Sequence, residues 1–125
     1  IRAAADAMRK QGGGRIVNIA SIAGLAPSGS SIAYAVSKAG LIHLTRCMAV
    51  ALAPDILVNC VAPGYLEGTR ATANLDPAYQ QRARENSLLK RAADKDDVAR
   101  QVVLLCETDS ITGQTLAVDA GRVFH

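Results

Sequence analysis

An α/β fold with a parallel sheet covered by helices is the architecture this sequence predicts, and three observations predict it. Arg15 to Ala20 and Ile56 to Val61 are short runs rich in β-branched residues, and a long apolar helical stretch separates them. Both runs are close to continuously apolar, which suits strands buried on both faces. A third such run, Thr115 to Val118, follows a further helical stretch near the end of the chain.

Ile1 to about Gln11 reads as the end of a helix, with no N-cap residue in front of it. Gly12-Gly13-Gly14 precedes a strand, so it reads as the close of that helix; a phosphate-cradling glycine loop would follow a strand. The strand from Arg15 delivers Ser21 to its carboxyl end, the edge at which open α/β sheets bind ligands. Ala23 to Ser31 is small in its side chains and broken by Pro27, a loop lying over that edge, and Ser30 or Ser31 is placed to cap the next helix. From Ile32 to Ala53 apolar residues occupy every face, so the helix has to be covered on two sides.

Ile56 to Val61 is the next strand, and Ala62-Pro63-Gly64 ends it at the same edge as Ser21. Tyr65 to about Arg91 is polar, alanine-rich and helical in pattern, interrupted by Pro77. Within it Arg82, Arg84, Lys90 and Arg91 read as solvated helix charges with partners such as Glu85 in reach, and no arginine pair is shaped for a carboxylate or phosphate. Asp94, Asp96 and Asp97 open an amphipathic helix that runs through Glu107, acids that suit the positive end of its dipole.

The chain has 125 residues, half of them apolar, which suits one domain with a core. A net charge of +3 comes from fourteen basic residues scattered in runs no longer than two. Three tyrosines and one phenylalanine offer no stacking platform, so composition argues against nucleic-acid binding. Cys47, Cys60 and Cys106 are odd in number and lack C-x-x-C spacing, the pattern of buried free thiols in a reducing cytoplasm and not of disulfides or zinc. His43 has no second ligand at i+4, and no metal site is expected. The longest apolar run, Ala39 to Ala53, carries His43 and Arg46 and ends at Pro54, too short and interrupted for a membrane span. There is no signal-peptide pattern, and a cytoplasmic location is expected.

Chemistry concentrates at Tyr34-Ala35-Val36-Ser37-Lys38, thirteen residues beyond Ser21. Residues four apart on a helix share a face, so the phenol and the ammonium point the same way. A phenol ionises only at about pH 10 and is a poor base at neutrality, but a cation alongside favours its ionised form. Tyr34 could then carry a proton to or from an alcohol oxygen that Ser21 also holds, the acid–base task in interconverting an alcohol and a ketone. None of these side chains accepts a hydride, so a redox cofactor is implied.

Four landmarks in order, Gly14 to Ser21, Tyr34 to Lys38, Val58 to Leu66 and Ile111 to Gly121, make the chain resemble the C-terminal half of a short-chain dehydrogenase/reductase. The resemblance implies a Rossmann-type doubly wound parallel sheet, here about three strands with flanking helices, with the first nucleotide-binding half missing. It implies Ser21, Tyr34 and Lys38 as the catalytic set and NAD or NADP as cofactor, contacted by Tyr34, Lys38, Pro63, Gly64, Leu66 and Thr69. Thr69 stands one residue later than the family's usual threonine. A carbonyl or secondary-alcohol substrate is implied, of the 3-oxoacyl-carrier, sugar or steroid kind, selected by a mobile lid from Tyr65 to about Arg91. So is a homo-oligomer, dimer or tetramer, joined through the helix 32–53.

The family's T-G-x-x-x-G-x-G turn, which receives the cofactor diphosphate, has no counterpart in the sequence. Residues 1–125 are therefore expected to be the catalytic and substrate-binding half of a single Rossmann domain. The alternative is a truncated, cofactor-less fragment or a non-catalytic oligomerisation module without activity of its own.

Overall fold

The computed structural model describes residues 1–124. Its elements run α1 (Arg2–Lys10), β1 (Gly14–Ile19), a 3-10 turn (Ile22–Gly24), α2 (Ile32–Leu52), β2 (Ile56–Pro63), α3 (Pro77–Glu85), α4 (Lys95–Glu107) and β3 (Thr115–Val118). The strands form one parallel sheet in the order β1-β2-β3. Gly14 lies beside Ile56 and Ile19 beside Val61 in the first pair, and Cys60 beside Thr115 and Pro63 beside Val118 in the second.

The central position of β2 accounts for its composition. Ile56, Val58, Cys60, Val61 and Ala62 are all fully buried, because this strand has a neighbour on each side and helices packed against it. On one face Ile56 and Val58 meet Ala5 and Met8 of α1 and Ala49 and Leu52 of α2. Farther along that strand Cys60 meets Ile42 of α2 and Ala20. The glycine cluster does close α1: Gly12 N donates to Arg9 O at 3.1 Å and Gly13 N to Met8 O at 2.9 Å. Arg15 then ties β1 to the end of α4 through Thr108 O and an ion pair with Asp109.

Pro77 begins a helix where the sequence suggested an interruption. It occupies the first turn of α3 behind the cap Asp76, whose carboxylate accepts from Ala78 N at 2.7 Å; a proline there loses no hydrogen bond that the helix would have made. Cys60 is buried as expected, but Cys47 and Cys106 are exposed, since the helix faces that carry them have no cover within this chain.

The bounds of α2 match the sequence reading to within one residue, but its apolar character reaches further than the run from Ala39. Capping by Ser31 adds Ile32 to Lys38 to the apolar run, and at 21 residues with a hydropathy of 1.2 the helix is long and apolar enough to cross a membrane by length and composition. In this fold it lies on the sheet instead, with Ile42, Thr45, Ala49 and Leu52 buried.

Burial holds the Cys60 thiol above its ordinary value of 9.0. The unfolded chain therefore loses that proton first, and Cys60 lowers stability as pH rises past 9.0. Denaturant midpoints measured on both sides of that pH are expected to fall on the alkaline side, with a smaller fall in Cys60→Ala. An equal fall in the variant would assign the effect to other groups.

Candidate active site

Ser21 sits one residue beyond Ala20 at the carboxyl end of β1, and its extended backbone starts the 3-10 turn. Its Oγ accepts from Ala23 N at 3.2 Å. That capping bond uses an oxygen lone pair and leaves the hydroxyl proton free to be donated, so a turn-capping serine and a carbonyl-holding serine are compatible. The turn is pressed onto α2 at Gly24, where a Cβ would lie 2.6 Å from the backbone of Lys38. Bare backbone at this point lets the serine turn approach the helix that carries Tyr34.

Ser31 caps α2 by accepting from Tyr34 N at 3.1 Å, which puts Tyr34 in the first turn of the helix, at the end nearest the serine loop. Lys38 follows one turn later. Its Nζ donates to Ile19 O at 3.1 Å and stands 5.7 Å from the centroid of the Tyr34 ring. The ammonium is thus anchored to the end of β1 and held over the aromatic face, a cation–π distance.

Ser21 and Tyr34 line one cleft of about 720 Å³, together with Gly64 and Tyr65 at the exit of β2. Gly64 N donates to Val118 O at 3.0 Å, and a Cβ at Gly64 would fall 2.7 Å from the Asp119 side chain, so only glycine lets the two strand exits close up here. Tyr65 also lines the cleft, and burial together with the Glu67 carboxylate raises its phenol above the ordinary value of 10.0.

The remaining residues that the resemblance pointed to lie around this cleft and not on its wall. Lys38 stands behind Tyr34. Pro63 is buried as the last residue of β2. Leu66 forms a parallel bridge with Ala93, fixed by Ala93 N donating to Tyr65 O at 2.9 Å. Thr69 hydrogen-bonds through its hydroxyl to that of Thr72 at 2.7 Å, and it is Thr72 that lines the cleft.

The outer wall combines residues of the segment expected to be a lid with two residues after β3 that the sequence did not mark. Asp76, Tyr79 and Arg82 of the α3 region, Arg91 after it, and Asp119 and Arg122 after β3 all line the same cleft. Arg82 and Arg91 are exposed, as solvated charges would be, and border the cleft; Arg84 turns away to pair with Glu67, while Glu85 is bonded to Gln81. Asp76, Tyr79, Arg82 and Arg91 fall inside the Tyr65 to Arg91 segment that the resemblance marked as substrate-selecting, and Asp119 and Arg122 fall outside it. Arg122 reaches the wall through a contact 36 positions away in the chain, with Asn86 O.

Comparison with known proteins finds similarity along almost the whole chain. A family model described as enoyl-(acyl carrier protein) reductase matches residues 1–122. The chain is 42% identical to the short-chain dehydrogenase/reductase homolog YusR of Bacillus subtilis, over 97% of this chain and 92% of that protein. It is 41% identical to the 3-oxoacyl-(acyl-carrier-protein) reductase FabG of Aquifex aeolicus, over 91% of this chain but 47% of that protein. Among solved structures, ElxO with NADP bound superposes with a TM-score of 0.86 at 31% identity, covering 97% of this chain and 51% of that one. YusR apart, the chain spans about half the length of the relatives named here.

Proposed function

This chain belongs to the short-chain dehydrogenase/reductase family, a family of NAD- or NADP-dependent oxidoreductases, and on that premise we propose that it carries the proton-transfer and substrate-binding half of an enzyme interconverting a carbonyl and a secondary alcohol. The observation that supports this most is the placement of Ser21 and Tyr34 on one cleft with Lys38 anchored behind the tyrosine ring. Residues 1–125 then form the C-terminal catalytic half of a single Rossmann domain.

The residues present fit the nicotinamide and ribose end of a dinucleotide. The unsubstituted Gly64 backbone borders the cleft, and the Lys38 ammonium, fixed by Ile19 O, has two further protons to offer to ribose hydroxyls. Pro63, Leu66 and Thr69 would support the turn on which that end rests. When bound, the cofactor supplies or accepts the hydride. Ser21 donates a hydrogen bond to the substrate oxygen through its free hydroxyl proton, which it keeps, and so orients that oxygen. Tyr34 delivers a proton to that oxygen in reduction, becoming phenolate, and in oxidation the phenolate takes the proton back; the Lys38 ammonium offsets the phenolate charge in both directions. Residues of the Ala23 to Ser31 loop and of α3 line the cleft.

A fluorescence titration of the 125-residue chain with NADH and with NADPH tests this reading. Saturable binding is expected at micromolar levels, weakened by Lys38→Ala. Absence of binding up to millimolar would show that this chain does not hold the cofactor by itself.

Association through α2 has its own support. Ile32, Val36 and Val50 are 85%, 65% and 83% exposed on a helix whose opposite side packs on the sheet. Covering that apolar face with a second copy would give the dimer or tetramer that the family resemblance implies.

A further inference from the structure

The outer wall of the cleft carries more positive charge than its neighbours neutralise. Arg82, Arg91 and Arg122 line it beside two carboxylates, Asp76 and Asp119. Both carboxylates are engaged by backbone: Asp76 accepts from Ala78 N at 2.7 Å, and Asp119 accepts from Gly121 N at 2.9 Å and Val123 N at 2.8 Å. Among the described residues none of the three guanidiniums is in an ion pair, whereas Arg9, Arg15, Arg84 and Arg100 all are.

The three arginines are brought together by backbone that is well tied down. Leu88 N donates to Gly121 O and Leu89 N to Ala120 O, each at 3.1 Å, so the segment after α3 lies against the segment after β3. Arg122 reaches across to Asn86 O at 3.3 Å. The buried Ser87 hydroxyl bonds Arg84 O at 2.8 Å and Arg91 O at 3.0 Å, and it accepts from Arg91 N at 3.2 Å, fixing the turn that presents Arg91. The three residues are exposed at the cleft, and guanidiniums without a carboxylate to hold are suited to a planar or tetrahedral oxyanion.

We propose that Arg82, Arg91 and Arg122 form a subsite for an anionic group, carboxylate or phosphate, carried by the substrate away from the carbonyl that Ser21 and Tyr34 address. This rests on the oxidoreductase reading for the position of the carbonyl, but not for the anion itself. The enzyme then selects acidic carbonyl compounds over neutral ones of the same shape.

The test is calorimetric binding to the 125-residue chain, without cofactor, of straight-chain keto acids of increasing length and of their methyl esters, with keto phosphates as a second arm to separate the two oxyanions. One of the two anions is expected to bind about fivefold or more tightly than its neutral counterpart at low salt, the gain allowed by partly exposed charge-assisted bonds. High salt should remove most of that preference. Arg82→Gln with Arg91→Gln should abolish it, and Arg82→Lys with Arg91→Lys should retain part of it. Equal binding of anion and neutral analogue, including no binding of either, would overturn the subsite. So would arginine substitutions that weaken NADPH or NADH binding while leaving the acid preference unchanged. Because the anion preference is read without cofactor, failure of the cofactor titration and failure of this subsite are separate results.

Discussion

Tyr34→Phe is expected to lower nicotinamide-dependent ketone reduction by a polypeptide carrying these residues by about 10²–10⁴-fold, the worth of a positioned general acid, while cofactor affinity stays nearly unchanged. Phenylalanine keeps the ring over which Lys38 Nζ stands, so the anchor from Lys38 to Ile19 O has no reason to move. Only the hydroxyl is lost. Steady-state turnover together with a cofactor titration checks both halves of the prediction. Retained turnover would remove Tyr34 from the chemistry, and a parallel loss of cofactor binding would make it a binding residue.

Asn59→Ala is expected to produce the largest loss of stability available from a polar position. Asn59 is 1% exposed in the central strand. Its Nδ2 donates to Ile111 O at 2.7 Å and its Oδ1 accepts from Gln114 N at 3.0 Å, so one side chain pins the loop that leads into β3. Alanine leaves the part-buried Ile111 carbonyl and the Gln114 N–H without this partner, at a cost of about 1–3 kcal/mol. Denaturant unfolding measures the loss, and hydrogen exchange should show residues 111–118 opening first. A loss below about 0.5 kcal/mol, the range of ordinary surface substitutions, would mean that the loop is held by other contacts.

Both residues illustrate what can be read from a linear pattern. Tyr34 announced itself because helical periodicity is local: four residues of spacing suffice to put the phenol and ammonium on one face. The strands at Ile16 and Val58 were legible for the same reason, being short β-branched runs between turn signals. Asn59 was not singled out, because its partners lie 52 and 55 positions away and nothing near it in the chain indicates them. Arg82 and Arg91 are surface charges as their spacing suggested, but the partner it suggested, Glu85, is bonded to Gln81 instead. Packing gave Glu67 to Arg84 and left the other two facing the cleft.

The sequence by itself determined the parallel α/β architecture, the arrival of Ser21 at a strand end, the shared face of Tyr34 and Lys38, and the family to which the chain belongs. Each depends on residues within one or two elements, where backbone geometry alone sets the outcome. Only the tertiary structure decided that Lys38 is tied to Ile19, that Thr72 and not Thr69 lines the cleft, that Cys47 and Cys106 stay exposed, and that Arg122 joins Arg82 and Arg91 on its outer wall. Those outcomes are set by contacts between segments far apart in the chain, and such contacts exist only once β2 has brought its two neighbouring strands into register.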